Sequence, residues 1–277
     1  MLQDILPHVY QNQFTAREAS PDDIVWIFRE NGAALLSAQD GIITWARIRD
    51  IPGLFPARCR SLFAIDGQWH SMLCAEKFEA PDGFSWYLPG EYRRFRPMER
   101  LFPCVAAASC CRWYRDNRFC GRCGAEMTDS KVERARVCPR CGQTVYPKIC
   151  PAVIVAVRNG ERLLLTKYAG RDRYRKLALI AGFNEIGETI EETVHREVLE
   201  EVGVRVKNLQ FYKSQPWLFS DSLLMGFFCD LDGDDHITLQ ESELSVGIWV
   251  DRADVPENTE KISLTGEMME QFRCGLA

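Results

Sequence analysis

The stretch GFNEIGETIEETVHREVLEEVGV, residues 182–204, constrains this chain more than any other. Gly182, Glu188, Arg196, Glu197, Val198, Glu200, Glu201, Gly203 and Val204 fall on the spacing G-x5-E-x7-R-E-U-x-E-E-x-G-U, in which U is aliphatic. Thr189 to Glu192 reads T-x-x-E, a capping box that starts a helix at Thr189, and Gly203 stops it. Ile190, Val194, Val198 and Val202 recur every four residues and give that helix one apolar stripe. At about 100° per residue, Glu197, Glu200 and Glu201 share an arc of roughly 100° beside the stripe. Carboxylates so close raise one another's pKa and cost stability unless a cation lies among them. A hard divalent ion with oxygen ligands, Mg2+ or Mn2+, answers that need. The plainer alternative is a solvated acidic face with Arg196 paired to Glu200 one turn on. The glycines, Glu188 and Arg196 at their places favour the metal site.

A second pattern is Cys120-Gly-Arg-Cys123, followed after fourteen residues by Cys138-Pro-Arg-Cys141. Two C-x-x-C pairs, each in a turn, supply four thiolates at tetrahedral spacing, as a structural Zn2+ ribbon requires. The rival is a redox C-x-x-C, but that motif usually occurs singly and leads into a helix. Four cysteine ligands leave no open position, so the zinc is structural and its binding is largely folding energy.

The sequence of 277 residues carries twelve cysteines and shows no basic segment followed by an apolar core at its start. Reduced thiols in the cytoplasm are therefore expected, with Cys110 and Cys111 as core thiols. The longest mostly apolar run, Leu101 to Cys111, is too short to span a bilayer, so no membrane partner is expected. A net charge of −5 gives no global field for nucleic acid. Residues 91–140, however, hold twelve Lys or Arg against six Asp or Glu. That stretch is either a solvated surface or a basic rim that meets phosphates of a substrate or an RNA.

Texture divides the chain into residues 1–112, a small mixed α/β domain with no catalytic motif; 113–147, the ribbon; and 148–277, a catalytic domain. In the first part short strands are expected around Trp26 and Phe28, Ile42 to Ile48, Leu62 to Ile65, Trp69 to Cys74 and Phe84 to Leu88, and a helix over Glu99 to Tyr114. In the last, Ala152 to Val157 and Arg162 to Tyr168 form a hairpin around Asn159-Gly160. Arg171 to Lys176 reads as a charged loop, and Leu177 to Ala181 as the strand that delivers the glutamate-rich helix. Leu209 to Ser214, Leu223 to Asp230 and Gly247 to Val250 read as further strands, and Thr265 to Phe272 as a closing helix. A mixed sheet between two helices makes an α/β/α sandwich.

The nine spaced positions of residues 182–204 resemble the box of the Nudix hydrolases, which cleave nucleoside diphosphates linked to another group. Downstream, Ser214-Gln215-Pro216-Trp217-Leu218-Phe219-Ser220-Asp221-Ser222 resembles the S-Q-P-W-P-F-P-x-S array of the NADH pyrophosphatase branch. The ribbon, Tyr146-Pro147 and Ala181-Gly182-Phe183 are similar to that branch too, and the resemblance covers about residue 110 to the end. Leu218 and Ser220 replace two family prolines, and Asn184 stands where an aliphatic residue is usual. Cys150, Gly247 and Ile248 also depart from the common pattern.

The resemblance implies a Nudix α/β/α sandwich and metal-dependent hydrolysis of NADH or NAD+ to nicotinamide mononucleotide and AMP. It implies metal ligation by Glu197, Glu201, Glu243 and the Ala181 carbonyl. Glu200 is a further ligand or the water-activating carboxylate. Arg196 positions the glutamates and Glu188 holds the loop-to-helix junction. Tyr146 and Thr265 match substrate-contacting positions, and the family's members are homodimers that can remove an NAD cap from RNA. Chemically, Gln215 and the hydroxyls of Ser220 and Ser222 can bond an amide or ribose. Trp217, Phe219 and Phe183 offer ring faces to a base or nicotinamide. Other nucleotides such as ADP-ribose, or RNA binding without turnover, are the alternatives.

Overall fold

The computed structural model describes residues 1–170 and 176–277, so most of the expected charged loop, Arg171 to Lys176, lies outside the described residues. Two compact units are present. One holds residues 2–148 with 218–220, the other Met1 with 149–217 and 221–277.

The first unit begins with strands β1 (Tyr10–Gln11), β2 (Ile24–Phe28), β3 (Ala34–Gln39), β4 (Ile42–Thr44), β5 (Arg60–Ile65), β6 (Gln68–Cys74) and β7 (Ser85–Tyr87). They form one sheet in the order β1-β5-β6-β2-β3-β4, with β7 also on β3. β2 is buried along its whole length, as its unbroken apolar sequence requires. Ile48, expected in a strand, instead lies in a single 3-10 turn, Ile48–Asp50. Helix α1 (Met98–Asp116) packs on this sheet and buries Leu101, Phe102 and Val105.

A correction concerns the cysteines. Cys111 of α1 is joined to Cys74 at the end of β6 in a disulfide, with the Cα atoms 6.4 Å apart. Those two residues are distant in sequence, and only the docking of α1 on β6 brings them within bridging distance. The four ribbon cysteines take no part in this bridge. After α1 come the ribbon strands β8 (Thr128–Asp129), β9 (Arg136–Val137) and β10 (Thr144–Val145), in the order β10-β9-β8.

The second unit contains β11 (Cys150–Asn159), β12 (Arg162–Tyr168), β13 (Ile180–Phe183), α2 (Ile190–Val202), β14 (Val206–Trp217), β15 (Ser222–Leu231), β16 (Leu244–Asp251) and α3 (Leu264–Arg273). The sheet order is β14-β15-β11-β12-β16, with β13 also on β11. β11 and β15 are parallel and the other pairs antiparallel. One edge of β11 is shared: Ala152 to Val155 pair with β13, while Arg158 and Asn159 pair with β12.

β11 is buried on both faces because its side chains alternate between two cores. Val153, Val155 and Val157 pack with Val194, Val198 and Val202 of α2. Ile154 and Ala156 pack with Leu264, Met268 and Phe272 of α3. The expected mixed-sheet sandwich is the observed one. Strands β14 and β15 are longer than expected: Ser214 to Trp217 belong to β14, and residues 218–221 form the turn into β15.

Candidate active site and metal centres

Helix α2 starts where its sequence says. Thr189 Oγ1 accepts from the Glu192 amide at 3.2 Å, and Glu192 Oε2 accepts from the Thr189 amide at 2.8 Å. Gly203 closes the helix in the left-handed region at φ 74°. Buried Val194, Val198 and Val202 fix the rotation of α2 on the sheet, and this turns Glu197 toward Gly182 of β13.

Arg196 organises the acidic face. Its Nε and Nη2 bond both Glu188 oxygens at 2.7 and 2.9 Å. Nη1 donates to Glu197 at 2.8 Å and to Glu200 at 3.1 Å. Nη2 also donates to the Phe183 carbonyl at the end of β13, at 2.9 Å. The hydrogen bonds from Arg196 hold the Glu188 carboxyl down at about 2, well inside the ionised range. Gly182 makes room for this arrangement. A Cβ built on it would lie 1.8 Å from Glu197 Cδ, so the carboxylate sits where any other residue's side chain would begin.

Glu197 and Glu201 are only 9% and 2% exposed. Burial pushes Glu201 up to about 8, and the charges of Glu197, Glu243 and Glu200 add to the shift. Burial raises Glu197 as well, against the pull of Arg196. Oε2 of Glu201 is buried without a hydrogen-bond partner among the described residues. Like charges drawn together out of water, one with an orphaned oxygen, fit a divalent cation with oxygen ligands. Glu200 and Glu243 are exposed beside the buried pair, and Ala181 lies on β13 opposite Ile154 of β11. An open cleft of about 630 Å³ is lined by Glu188, His195, Arg196, Leu199 and Glu200, among others.

Two residues outside the box pattern join the same network. Asn184 Nδ2 donates to the Glu188 carbonyl at 3.0 Å and to Thr193 Oγ1 at 2.8 Å. Thr193 Oγ1 donates to Glu188 Oε2 at 2.8 Å. The one sign of Thr193 in the sequence is its place three residues before Arg196, on the same side of the helix.

The remaining expected residues are spread more widely. Phe183 is exposed at the end of β13. Trp217 ends β14 opposite Ser222, which is buried, with Pro216 opposite Leu223. Asp221 closes the turn at φ 55°, its carbonyl bonded by the Cys150 amide at 2.8 Å. Thr265 lies in the first turn of α3. Tyr146, Leu218, Phe219 and Ser220 belong to the first unit. The Tyr146 hydroxyl donates to Glu133 at 3.0 Å. Gln215 is the clear departure. It is fully buried, its Nε2 donates to the Ile262 carbonyl at 3.0 Å, and its Oε1 accepts from the Leu264 amide at 2.7 Å. Its amide thus bonds the backbone that leads into α3, because position 215 of β14 faces inward toward that helix.

The ribbon is built as two similar knuckles. Cys120 N–H donates to the Ala125 carbonyl and Cys138 N–H to the Gln143 carbonyl, both at 2.8 Å. Gly124 and Gly142 follow Cys123 and Cys141 at φ 74° each and return their amides to the carbonyls of Cys120 and Cys138. The Sγ atoms of Cys120 and Cys141 are 3.6 Å apart, and those of Cys123 and Cys138 3.5 Å. Tetrahedral Zn–S bonds of about 2.3 Å would place sulfurs roughly 3.8 Å apart. Among the described residues these four are the only group of such ligands gathered within 4.8 Å. The glutamates of α2 are not drawn that close.

Residues 148–272 match the family description "NUDIX domain". This chain carries a Nudix domain. Ahead of the Nudix domain, residues 115–146 match "NADH pyrophosphatase zinc ribbon domain". The chain is 45% identical over 145 residues to the NAD-capped RNA hydrolase NudC of Pectobacterium atrosepticum. It is 43% identical over 144 residues to the protein of the same name from Shigella flexneri. Each match covers 52% of this chain and 55% of the relative, so the chain spans about half the length of the curated relatives it matches. A NUDIX hydrolase from Nitrosomonas europaea, 24% identical, superposes with a TM-score of 0.47 over 56% of this chain and 90% of its own. No helix among the described residues is long and apolar enough to cross a membrane.

Proposed function

We propose that this chain hydrolyses the pyrophosphate bond of NADH or NAD+, releasing nicotinamide mononucleotide and AMP, and acts in the same way on the NAD cap of RNA. The observation that carries the proposal is the buried Glu197–Glu201 pair, whose Glu201 Oε2 has no hydrogen-bond partner among the described residues, in a Nudix domain that follows an NADH pyrophosphatase ribbon. Water adds across the P–O–P bridge: a new P–O bond forms at one phosphorus, the bridging bond breaks, and the leaving phosphate takes the proton.

Glu197, Glu201, Glu243 and the Ala181 carbonyl would hold Mg2+ or Mn2+, which would supply charge neutralisation of the diphosphate and activation of the attacking water. The chain's own residues set the stage for that water. Arg196 fixes Glu197 beside β13 and bonds the Phe183 carbonyl at the end of that strand. Glu200, exposed at the edge of the set, is either a further ligand or the group that takes the water's proton. Glu188 stays ionised and anchors Arg196. Phe183 and Trp217 present ring faces for a base or nicotinamide, and Tyr146 and Thr265 are further substrate contacts on the resemblance alone. A homodimer working in the cytoplasm likewise rests on the resemblance.

One observation favours a second reading, a diphosphatase for another nucleotide such as ADP-ribose. The Gln215 amide bonds the backbone before α3, so a polar group expected to read nicotinamide is already engaged. Product analysis after incubation with NADH, NAD+, ADP-ribose and NAD-capped RNA decides between them. Nicotinamide mononucleotide and AMP from NADH at the highest kcat/KM support the proposal. Preference for ADP-ribose transfers it to the second reading. Salt-dependent RNA binding with no cation-dependent turnover would leave only an RNA-binding protein.

A further inference from the structure

We infer that Asn184 and Thr193 are positioning residues for the catalytic cation: a polar latch that fixes Glu188 and, through Arg196, orients Glu197 and Glu200. The inference rests on the Nudix reading of the site but not on which nucleotide is cleaved.

Thr193 is fully buried in the first turn of α2. A buried hydroxyl needs partners, and here they are all polar groups of the box. The Thr193 hydroxyl has one proton. Glu188 Oε2 at 2.8 Å and the Thr189 carbonyl at 3.0 Å compete for it. The ionised carboxylate makes the stronger bond, so the proton goes to Glu188. Asn184 then supplies the hydroxyl's other need, donating to it at 2.8 Å and to the Glu188 carbonyl at 3.0 Å. Both neighbours of this nitrogen are acceptors, which fixes the orientation of the amide.

The consequence for Glu188 is full occupancy. One oxygen meets Arg196 Nε, and the other meets Thr193, Arg196 Nη2 and the Glu185 amide. Glu188 cannot rotate without breaking several bonds, so the guanidinium it holds in two places cannot rotate either. The free end of that guanidinium reaches Glu197 and Glu200. Asn184 stands one residue beyond Phe183, so the latch also ties the end of β13 to the helix. An aliphatic residue at 184, usual in the family, cannot do this. In this chain Asn184 and Thr193 make a matched pair.

Groups that orient metal ligands from behind typically contribute about 10- to 100-fold in metal affinity or activity. Thr193→Val keeps the shape and removes the hydroxyl, Thr193→Ser keeps the hydroxyl, and Asn184→Val restores an aliphatic residue. Mn2+ binding to each protein is measured by calorimetry without substrate, and kcat and KM are measured at saturating Mn2+. We expect Thr193→Val to weaken Mn2+ binding about tenfold or more and Asn184→Val to weaken it less. Thr193→Ser should bind as the wild type does. KM should be unchanged at saturating Mn2+. In the Asn184→Val/Thr193→Val double variant the losses should not add, because the second change removes a bond already broken. Wild-type Mn2+ affinity in Thr193→Val, with only its melting temperature lowered, overturns the latch; so do additive losses. If Thr193→Val fails to fold, Asn184→Val and Thr193→Ser decide in the same way. Cleavage of ADP-ribose in preference to NADH would overturn the substrate assignment and leave this inference standing.

Discussion

At the scale of single residues, the site depends on one missing side chain and one missing partner. The missing side chain is at Gly182. Gly182→Ala would drive a methyl group into the Glu197 carboxylate, so the carboxylate must move. Its kcat is expected to fall at least as far as that of Glu197→Gln, which keeps shape but removes charge. Near wild-type turnover in either variant would mean that Glu197 does not bind the cation. The missing partner is at Glu201. Burial holds its carboxyl at about 8, above its ordinary value of 4.5, so the folded chain binds this proton more tightly than the unfolded one. The stability that Glu201 contributes to the cation-free protein is therefore fully present below about 4.5, falls as pH rises, and is lost above about 8. In EDTA, Glu201→Gln should gain melting temperature over the wild type as pH goes from 5 to 8, and Mn2+ should shrink the gap. A difference that does not vary with pH counts against the orphaned carboxylate. Much of this site was legible in the sequence, because the spacing of Arg196, Glu197, Glu200 and Glu201 is a helical face. The orphaned oxygen was not legible, since it depends on which strand covers the face.

At the scale of elements, local signals determine the most. The capping box at Thr189, the four-residue stripe and Gly203 fix α2 from within its own sequence, and the helix runs as they dictate. The end of β14 was harder, because a polar residue in a strand does not say which face it takes. Gln215 looks like a ligand-reading amide, yet it bonds backbone at both ends of its amide. Gln215→Leu would leave the Ile262 carbonyl and the Leu264 amide unpaired in the core. The cost is about 1–3 kcal/mol for a buried group left so, read as a lower melting temperature, with KM for NADH unchanged. A large rise in KM with stability intact would return Gln215 to the substrate site. The aromatic elements give a contrasting expectation. Trp217→Ala and Phe183→Ala should lower kcat/KM for NADH by about 5- to 150-fold, the range for one stacked ring. ADP-ribose should lose less with whichever ring meets nicotinamide. Equal losses on both substrates would show that neither ring distinguishes them.

At the scale of the whole molecule, the ribbon follows from spacing because its ligands lie close together in the chain. The Cys74–Cys111 bridge did not follow, because it depends on how α1 docks on the first sheet. The ribbon should hold about one Zn2+ per chain. Cys120→Ser is expected to lose that ion and lower the melting temperature of the first unit. Freshly purified protein with no zinc and a Cys120–Cys123 disulfide would make the motif a redox pair instead. The second unit has a different dependence, set by the central strand. β11 takes β15 as its parallel neighbour, with Cys150 opposite Ser222 and Arg158 opposite Asp230. The buried glutamates Glu197 and Glu201, with β13 and all of α2, lie in the chain between those two strands, and Glu243 follows the second of them. A growing polypeptide therefore leaves the ribosome with its glutamate helix complete while the sheet beneath it still lacks a neighbour. The catalytic face is made early and assembled late, so a nascent chain stopped before β15 should carry the whole box and bind no cation.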